Sequence, residues 1–191
     1  MSTSTLGYAI LGLLARQACS GYALAARLRA PTGYYWTARH SQIYPELERL
    51  LAAGLVRYRL ERGPGPRDKK VYAPTEAGLR ALRDWVTRPP APHAPRDELA
   101  LKTYSLSLAD PVAAAALYRK QADAHAERLA AYEATRERVL ARHDGAAPPL
   151  DAPEFGSYAT LLLGIGHERD HLAWCRWLID CLERGAVQDE P

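Results

Sequence analysis

The chain has 191 residues, 48% hydrophobic and 25% charged, and its 25 Lys and Arg against 22 Asp and Glu leave a net charge of +3. This composition excludes a disordered or fibrous chain, and the length suffices for one domain or two small ones with a buried core. A net of +3 gives no sign of a polyanionic partner, but a total conceals where the charges sit.

Residues 6–16 are apolar enough for a buried helix, with Leu6, Ile10, Leu13 and Leu14 at helical spacing. Ser20 is placed to cap a second helix that carries Tyr22, Leu24 and Leu28 and stops at Pro31. An aromatic loop over residues 32–40 follows, with Tyr34, Tyr35 and Trp36. A third helix is predicted from about Ser41, with Ile43, Leu47, Leu50 and Leu51 on its apolar face and Gly54 as its stop. Residues 55–61 alternate: Val56, Tyr58 and Leu60 on one side, Arg57, Arg59 and Glu61 on the other. That is the pattern of a half-buried antiparallel strand. The turn Gly63-Pro-Gly-Pro66 and a short strand over residues 71–73 close a hairpin, and Thr75 caps a fourth helix bearing Leu79, Leu82, Trp85 and Val86. Three helices, a hairpin and a helix give the order of a winged helix-turn-helix.

The segment Pro89-Pro-Ala-Pro-His-Ala-Pro95 holds four prolines in seven residues, which excludes a helix and favours an extended linker. Residues 1–88 carry 14 Lys and Arg against 6 Asp and Glu, a net of +8; residues 89–191 carry 11 against 16, a net of −5. Such asymmetry points to a nucleic-acid module joined to a separate partner domain.

Beyond the linker, Asp110 and Pro111 open a long helix reaching about Arg142. Its residues Tyr118, Ala122, His125, Leu129, Tyr132, Arg136 and Val139 recur at spacings of 4 and 3. A second long helix, residues 158–184, repeats the rhythm with Leu161, Ile165, Glu168, Leu172, Cys175, Ile179 and Leu182. These are coiled-coil-like seams diluted by polar residues, fitting a helical dimerisation domain. The expected architecture is mainly α. A winged helix-turn-helix DNA-binding domain spans 1–88, a proline-rich linker 89–96 and an α-helical dimerisation and effector domain 97–191.

In the basic part the third helix would enter a major groove, presenting Gln42, Tyr44, Pro45, Glu46 and Arg49 opposite its apolar face. Gln42 can read an adenine edge, Arg49 can reach guanine or phosphate, and the amides at the helix start, at Ser41, suit a phosphate oxygen. Around the hairpin tip, Arg62, Arg67, Lys69 and Lys70 fall within nine residues, a basic tip suited to a phosphate path or a minor groove. A symmetric dimer would set two such helices about 34–36 Å apart, the spacing of a palindromic operator in double-stranded DNA.

Several segments carry a family resemblance: Leu6-Gly-Tyr-Ala-Ile-Leu-Gly-Leu-Leu14, Ser20-Gly-Tyr-Ala-Leu24, Ser41-Gln-Ile-Tyr-Pro-Glu-Leu47 and Leu50-Leu-Ala-Ala-Gly-Leu-Val56. With Lys70-Val-Tyr-Ala-Pro-Thr-Glu-Ala-Gly78 they resemble the PadR family of bacterial transcriptional regulators. Arg96-Asp-Glu-Leu-Ala-Leu-Lys102 and Tyr158-Ala-Thr-Leu-Leu-Leu-Gly-Ile-Gly-His-Glu-Arg169 are similar to the C-terminal domain of its longer subfamily. The resemblance covers most of the chain and implies a homodimeric DNA-binding regulator, usually a repressor, relieved by a small aromatic or drug-like effector. It adds Ser20, Gly21 and Tyr22 to the DNA-contacting set.

His167-Glu-Arg-Asp-His171 matches the H-E-x-x-H pattern that places two zinc-binding imidazoles and a glutamate base on one helix. Against a zinc-dependent hydrolase stand the charged Arg169 and Asp170 inside the motif, Trp174 where an extended motif has glycine, and no surrounding sheet. His167, His171 and Cys175 share one helical stripe and could also hold zinc without catalysis, although core or interface packing is the plainer reading. No enzymatic site, cofactor or metal is therefore expected. A third reading is a winged-helix adaptor without DNA contact. Trp85, Trp174 and Trp177 can serve either as core or as walls of an effector pocket. The three cysteines, Cys19, Cys175 and Cys181, are an odd number with no CxxC pair, so neither a disulfide framework nor a cysteine-rich zinc module is indicated. With no leader-like N-terminus and no long apolar run, a cytoplasmic protein without a membrane partner is expected.

Overall fold

The computed structural model describes residues 3–29, 40–62, 68–91 and 97–185. The chain divides into two units, Met1–Ala91 and Pro92–Pro191, each with its own core. The aromatic loop, the hairpin turn with Arg67, and most of the proline segment lie outside the described residues.

In the first unit, helix α1 (Thr5–Arg16) begins where the Ser4 hydroxyl accepts the Gly7 amide hydrogen, satisfying one donor that a helix start leaves unpaired. A two-residue strand β1 (Cys19–Ser20) leads into α2 (Gly21–Arg29), followed by α3 (His40–Ala52). Ile10, Leu11, Leu14, Leu24, Ile43, Leu47 and Leu50 project from these three helices into one core. Helix α3 ends with Gly54 at φ +67, where the Gly54 and Leu55 amides donate to the Leu51 and Leu50 carbonyls. Only glycine takes that left-handed turn without strain.

Strands β2 (Val56–Glu61) and β3 (Lys69–Pro74) form the hairpin, and the sheet order is β1–β3–β2, antiparallel throughout. The pairing Cys19↔Tyr72 attaches β1, a strand too short to leave a pattern in the sequence. The expected half-burial of β2 is corrected: Val56 is buried, but Tyr58 and Leu60 are 44% and 61% exposed. β2 is an edge strand, and only its Val56 end joins the core.

Thr75 caps α4 (Glu76–Val86) by accepting from the Gly78 amide at 3.1 Å, while its hydroxyl donates to the Gly54 carbonyl at 2.7 Å. One side chain thus ties the end of α3 to the start of α4. Gly78 must be glycine, because a Cβ there would stand 2.1 Å from the Leu55 carbonyl oxygen.

The second unit opens with α5 (Glu98–Tyr104), capped by Asp97, and a short 3-10 turn (Leu106–Leu108). Asp110 caps α6 (Pro111–Ala141) through the Ala113 amide at 2.8 Å, with Pro111 at the first helical position, where its missing N–H costs nothing. Helix α7 (Phe155–Arg184) ends at left-handed Gly185. The two long helices run antiparallel: Arg119 meets Glu183 near one end and Glu133 meets Arg169 further along. Tyr118 and Ala122 pack against Leu172 and Cys175 as spaced, but the next buried position is Leu178, with the expected Ile179 only half-buried. Arg136, expected on the seam, is instead exposed, since a guanidinium gains more from water than from an apolar groove. Among the described residues no helix is long and apolar enough to cross a membrane.

Candidate nucleic-acid interface

In the first unit α3 and the hairpin each present an exposed face. With Ile43, Leu47 and Leu50 turned inward, helical geometry leaves Ser41, Gln42, Pro45 and Arg49 exposed and Tyr44 at 43% exposure. Pro45 lies within α3 and offers no amide hydrogen to the carbonyl four residues back, that of Ser41. The Tyr44 ring leans over the start of α2, where a Cβ on Gly21 would come within 2.8 Å of it. Gly21 is accordingly buried beneath that ring, whereas Tyr22 beside it is 76% exposed. Ser20 caps α2, its Oγ accepting from the Ala23 amide at 3.3 Å.

On the hairpin, Arg62, Lys69 and Lys70 are exposed. Lys70 Nζ sits 4.5 Å above the Tyr58 ring, a cation–π contact that holds the ammonium at the surface. Glu61 lies between Arg59 at 2.7 Å and Lys69 at 3.5 Å. The Arg59 hydrogen bond, with Lys69 beside it, holds the Glu61 carboxyl below its ordinary range. Of the expected DNA-facing residues, the structure gathers Ser41, Gln42, Tyr44, Pro45 and Arg49 on α3, Arg62, Lys69 and Lys70 on the hairpin, and Ser20, Gly21 and Tyr22 at the start of α2. Arg67 lies outside the described residues.

Glu46 departs from expectation. Predicted on the outer face, it is 4% exposed. Its Oε1 accepts from the Ser4 hydroxyl at 2.6 Å and its Oε2 from Arg49 Nη1 at 2.5 Å, which supply the partners a buried carboxylate requires. Glu46 falls on the inward 3–4 spacing of Ile43, Leu47 and Leu50, but the Ser4 partner that makes its burial tolerable is not visible in the sequence.

Among the described residues the tryptophans fall in both units. Trp85 stacks on Tyr8 in the first unit, ring centroids 4.7 Å apart and 8° from parallel. Trp174 meets the Tyr118 ring edge-on at 5.8 Å, and both it and Trp177 pack on the core of the second unit. An open hollow of about 440 Å³ there is bounded by Leu101, Ser105, Leu106, Ala113, Leu117 and Tyr118.

The His-Glu-x-x-His segment is turned to structural use. Glu168 is buried, with Oε2 2.6 Å from His125 Nδ1 and 3.0 Å from Arg128 Nε. A metalloprotease base must face a bound water; this carboxylate faces a guanidinium. The His167 and His171 rings lie 3.9 Å apart at a 36° tilt, and His171 Nδ1 lies 2.8 Å from the His167 carbonyl oxygen. Among the described residues no group of three or more His, Cys, Asp or Glu is arranged to hold a metal ion. Cys175 is fully buried, and burial pushes its thiol above the ordinary value, the opposite of an activated thiolate.

Comparison with known proteins matches residues 10–84 to the transcriptional regulator PadR-like family and residues 95–183 to the virulence activator alpha C-terminal family. The chain is 31% identical over 182 residues to the negative transcriptional regulator PadR of Bacillus subtilis (strain 168), covering 94% of this chain and 98% of that protein. It belongs to the PadR-like family of transcriptional regulators. The crystal structure of Bacillus subtilis PadR in complex with operator DNA superposes with a TM-score of 0.83 at 30% identity, over 94% of this chain and 99% of that one. The same protein in complex with p-coumaric acid gives 0.76 at 31% identity, with the same coverage. As a PadR-like chain this protein is a transcriptional regulator, not an enzyme, and its fold is the winged helix with a helical second unit expected from the sequence.

Proposed function

We propose that the protein binds double-stranded operator DNA as a homodimer in the cytoplasm and represses transcription until a small aromatic effector releases it. The observation that carries this reading is the face of α3, where Ser41, Gln42, Tyr44, Pro45 and Arg49 project away from a core that fixes the helix. Gln42 and Tyr44 are assigned to base edges, and Arg62, Arg67, Lys69 and Lys70 to phosphates flanking them. Ser20 and Gly21 set the start of α2 so that Tyr22 reaches the backbone.

The first unit, with residues 1–88, is assigned to DNA, residues 89–96 to a linker, and the helical part, 97–191, to dimerisation and effector binding. Leu101, Tyr104, Leu108 and Val112 are exposed on the second unit, an apolar surface of the kind that a partner copy covers. The hollow beside Tyr118, whose ring Trp174 meets edge-on, is assigned to the effector, and Trp85 and Trp177 to packing. An effector releases DNA only if it favours a dimer geometry that mismatches the operator.

Selection of genomic fragments by the purified protein tests the reading, and a recovered palindrome is expected. On that palindrome the pair Lys69→Ala with Lys70→Ala should make the salt dependence of binding shallower by about 0.9 in log–log slope for each phosphate no longer neutralised. An unchanged slope would show that Lys69 and Lys70 neutralise no phosphate, and recovery of no DNA fragment would leave the adaptor reading standing. Adding p-coumaric acid to the same assay, with an unrelated aliphatic acid as control, checks the effector class.

A further inference from the structure

We propose that Glu46 is the residue that sets sequence discrimination by holding Arg49, making it a positioning residue of the reading helix rather than one that touches DNA. The inference rests on the DNA-binding reading. Glu46 lies in α3 yet is 4% exposed, and both carboxylate oxygens are engaged. Oε2 receives Arg49 Nη1 at 2.5 Å, and Oε1 receives the Ser4 hydroxyl at 2.6 Å. Ser4 is itself fixed, because its Oγ also accepts the Gly7 amide at 2.9 Å as the cap of α1. A chain of three hydrogen bonds therefore runs from the first turn of α1, through a buried carboxylate, to a guanidinium whose side chain is 69% exposed.

An isolated Glu–Arg pair one helical turn apart on a surface would constrain little. Here the carboxylate is anchored from a second helix, and charge-assisted hydrogen bonds to ionised groups are the stronger and more directional kind. Two consequences follow for Arg49. Its guanidinium presents the remaining N–H groups from a fixed place, so one arrangement of guanine edge or phosphate is served well and others poorly. Its charge is also offset by Glu46, so it adds little to the indiscriminate attraction that any duplex exerts on a free arginine. Glu46 lowers affinity for random DNA and keeps affinity for the matching site.

The test uses the full-length protein, an operator fragment recovered by genomic selection and a random duplex of equal length. Glu46→Gln keeps an oxygen for Ser4 but turns an amide toward Arg49. It should bind random duplex several-fold more tightly, with a steeper salt dependence by up to about 0.9 per protomer, as expected for one released cation. The ratio of operator to random affinity should fall about tenfold, the effect of one misread base. In an Arg49→Ala background the same change should leave the ratio of operator to random affinity unaltered. Equal ratios for the wild type and Glu46→Gln, or an effect that persists without Arg49, overturn the proposal. Should Glu46→Gln fail to fold, the exposed Arg49→Ala variant keeps the proposal falsifiable: the ratio of operator to random affinity must fall, and an unchanged ratio overturns the idea. A wild-type protein that does not distinguish operator from random duplex removes the DNA-binding reading itself.

Discussion

Gly78 and Thr75 sit three residues apart and do different work at one junction. The Gly78 position has no room for a methyl group, with the Leu55 carbonyl oxygen 2.1 Å from where it would stand. Overpacking against backbone cannot be relieved by a rotamer change, so Gly78→Ala should destabilise the first unit by about 2–3 kcal/mol. Thr75→Ala removes a cap and a link to Gly54 but clashes with nothing, and about 1 kcal/mol is expected. Chemical denaturation of both variants checks the order. At this scale the sequence was unevenly legible. Ser20, Thr75 and Asp110 announced their caps, and Gly54 its left-handed turn, because these signals depend on neighbours in the chain. Gly78 and Glu46 did not, since what they meet, Leu55 and Ser4, comes from elsewhere in the fold.

The long helices show the same division among elements. The 4–3 spacing in α6 and α7 gave both seams, and Tyr118, Ala122, Leu172 and Cys175 are buried as that spacing requires. What it could not give was which polar residues on the two seams face each other. The structure pairs His125 and Arg128 of α6 with Glu168 of α7. Beside them, partial burial and the neighbouring His171 push the His167 imidazole below its ordinary value of 6.5. The folded state thus resists the proton that the unfolded chain accepts. Stability of the second unit should be insensitive to this group above pH 6.5, and should fall as pH drops through 6.5 toward the lower folded value. His167→Gln should flatten that part of the pH profile, read by thermal melts across the range; an unaltered profile would show that His167 does not contribute.

For the whole molecule the informative number is a difference. The net of +3 is a cancellation between +8 over residues 1–88 and −5 over residues 89–191, and the basic part coincides with the unit that carries α3 and the hairpin. Because that unit has its own core, residues 1–91 expressed alone should fold with native-like helical circular dichroism. Binding operator as a single copy, the fragment should lose at least about 100-fold in affinity, since the second half-site no longer acts at high effective concentration. Equal affinity for fragment and full chain would show that dimerisation through the rest of the chain is not needed. The split was readable from proline and charge alone, because composition survives without coordinates. The two-residue strand β1, which joins the sheet through Cys19 and Ser20, was not.

The junction at Thr75 bears on how such a regulator can diversify. Hydrogen bonds from Thr75 to Leu55 and Gly54 close the base of the hairpin, and the pairing of Val71 and Tyr72 with β1 holds its lower half to the head. A hairpin stapled at its root behaves as a cassette: residues added, removed or exchanged toward its tip leave α3 and α4 where they are. Mutation can then rewrite the wing's grip on one flank of a target while the reading helix keeps its frame, and the two can be swapped independently when a head is engineered for a new site.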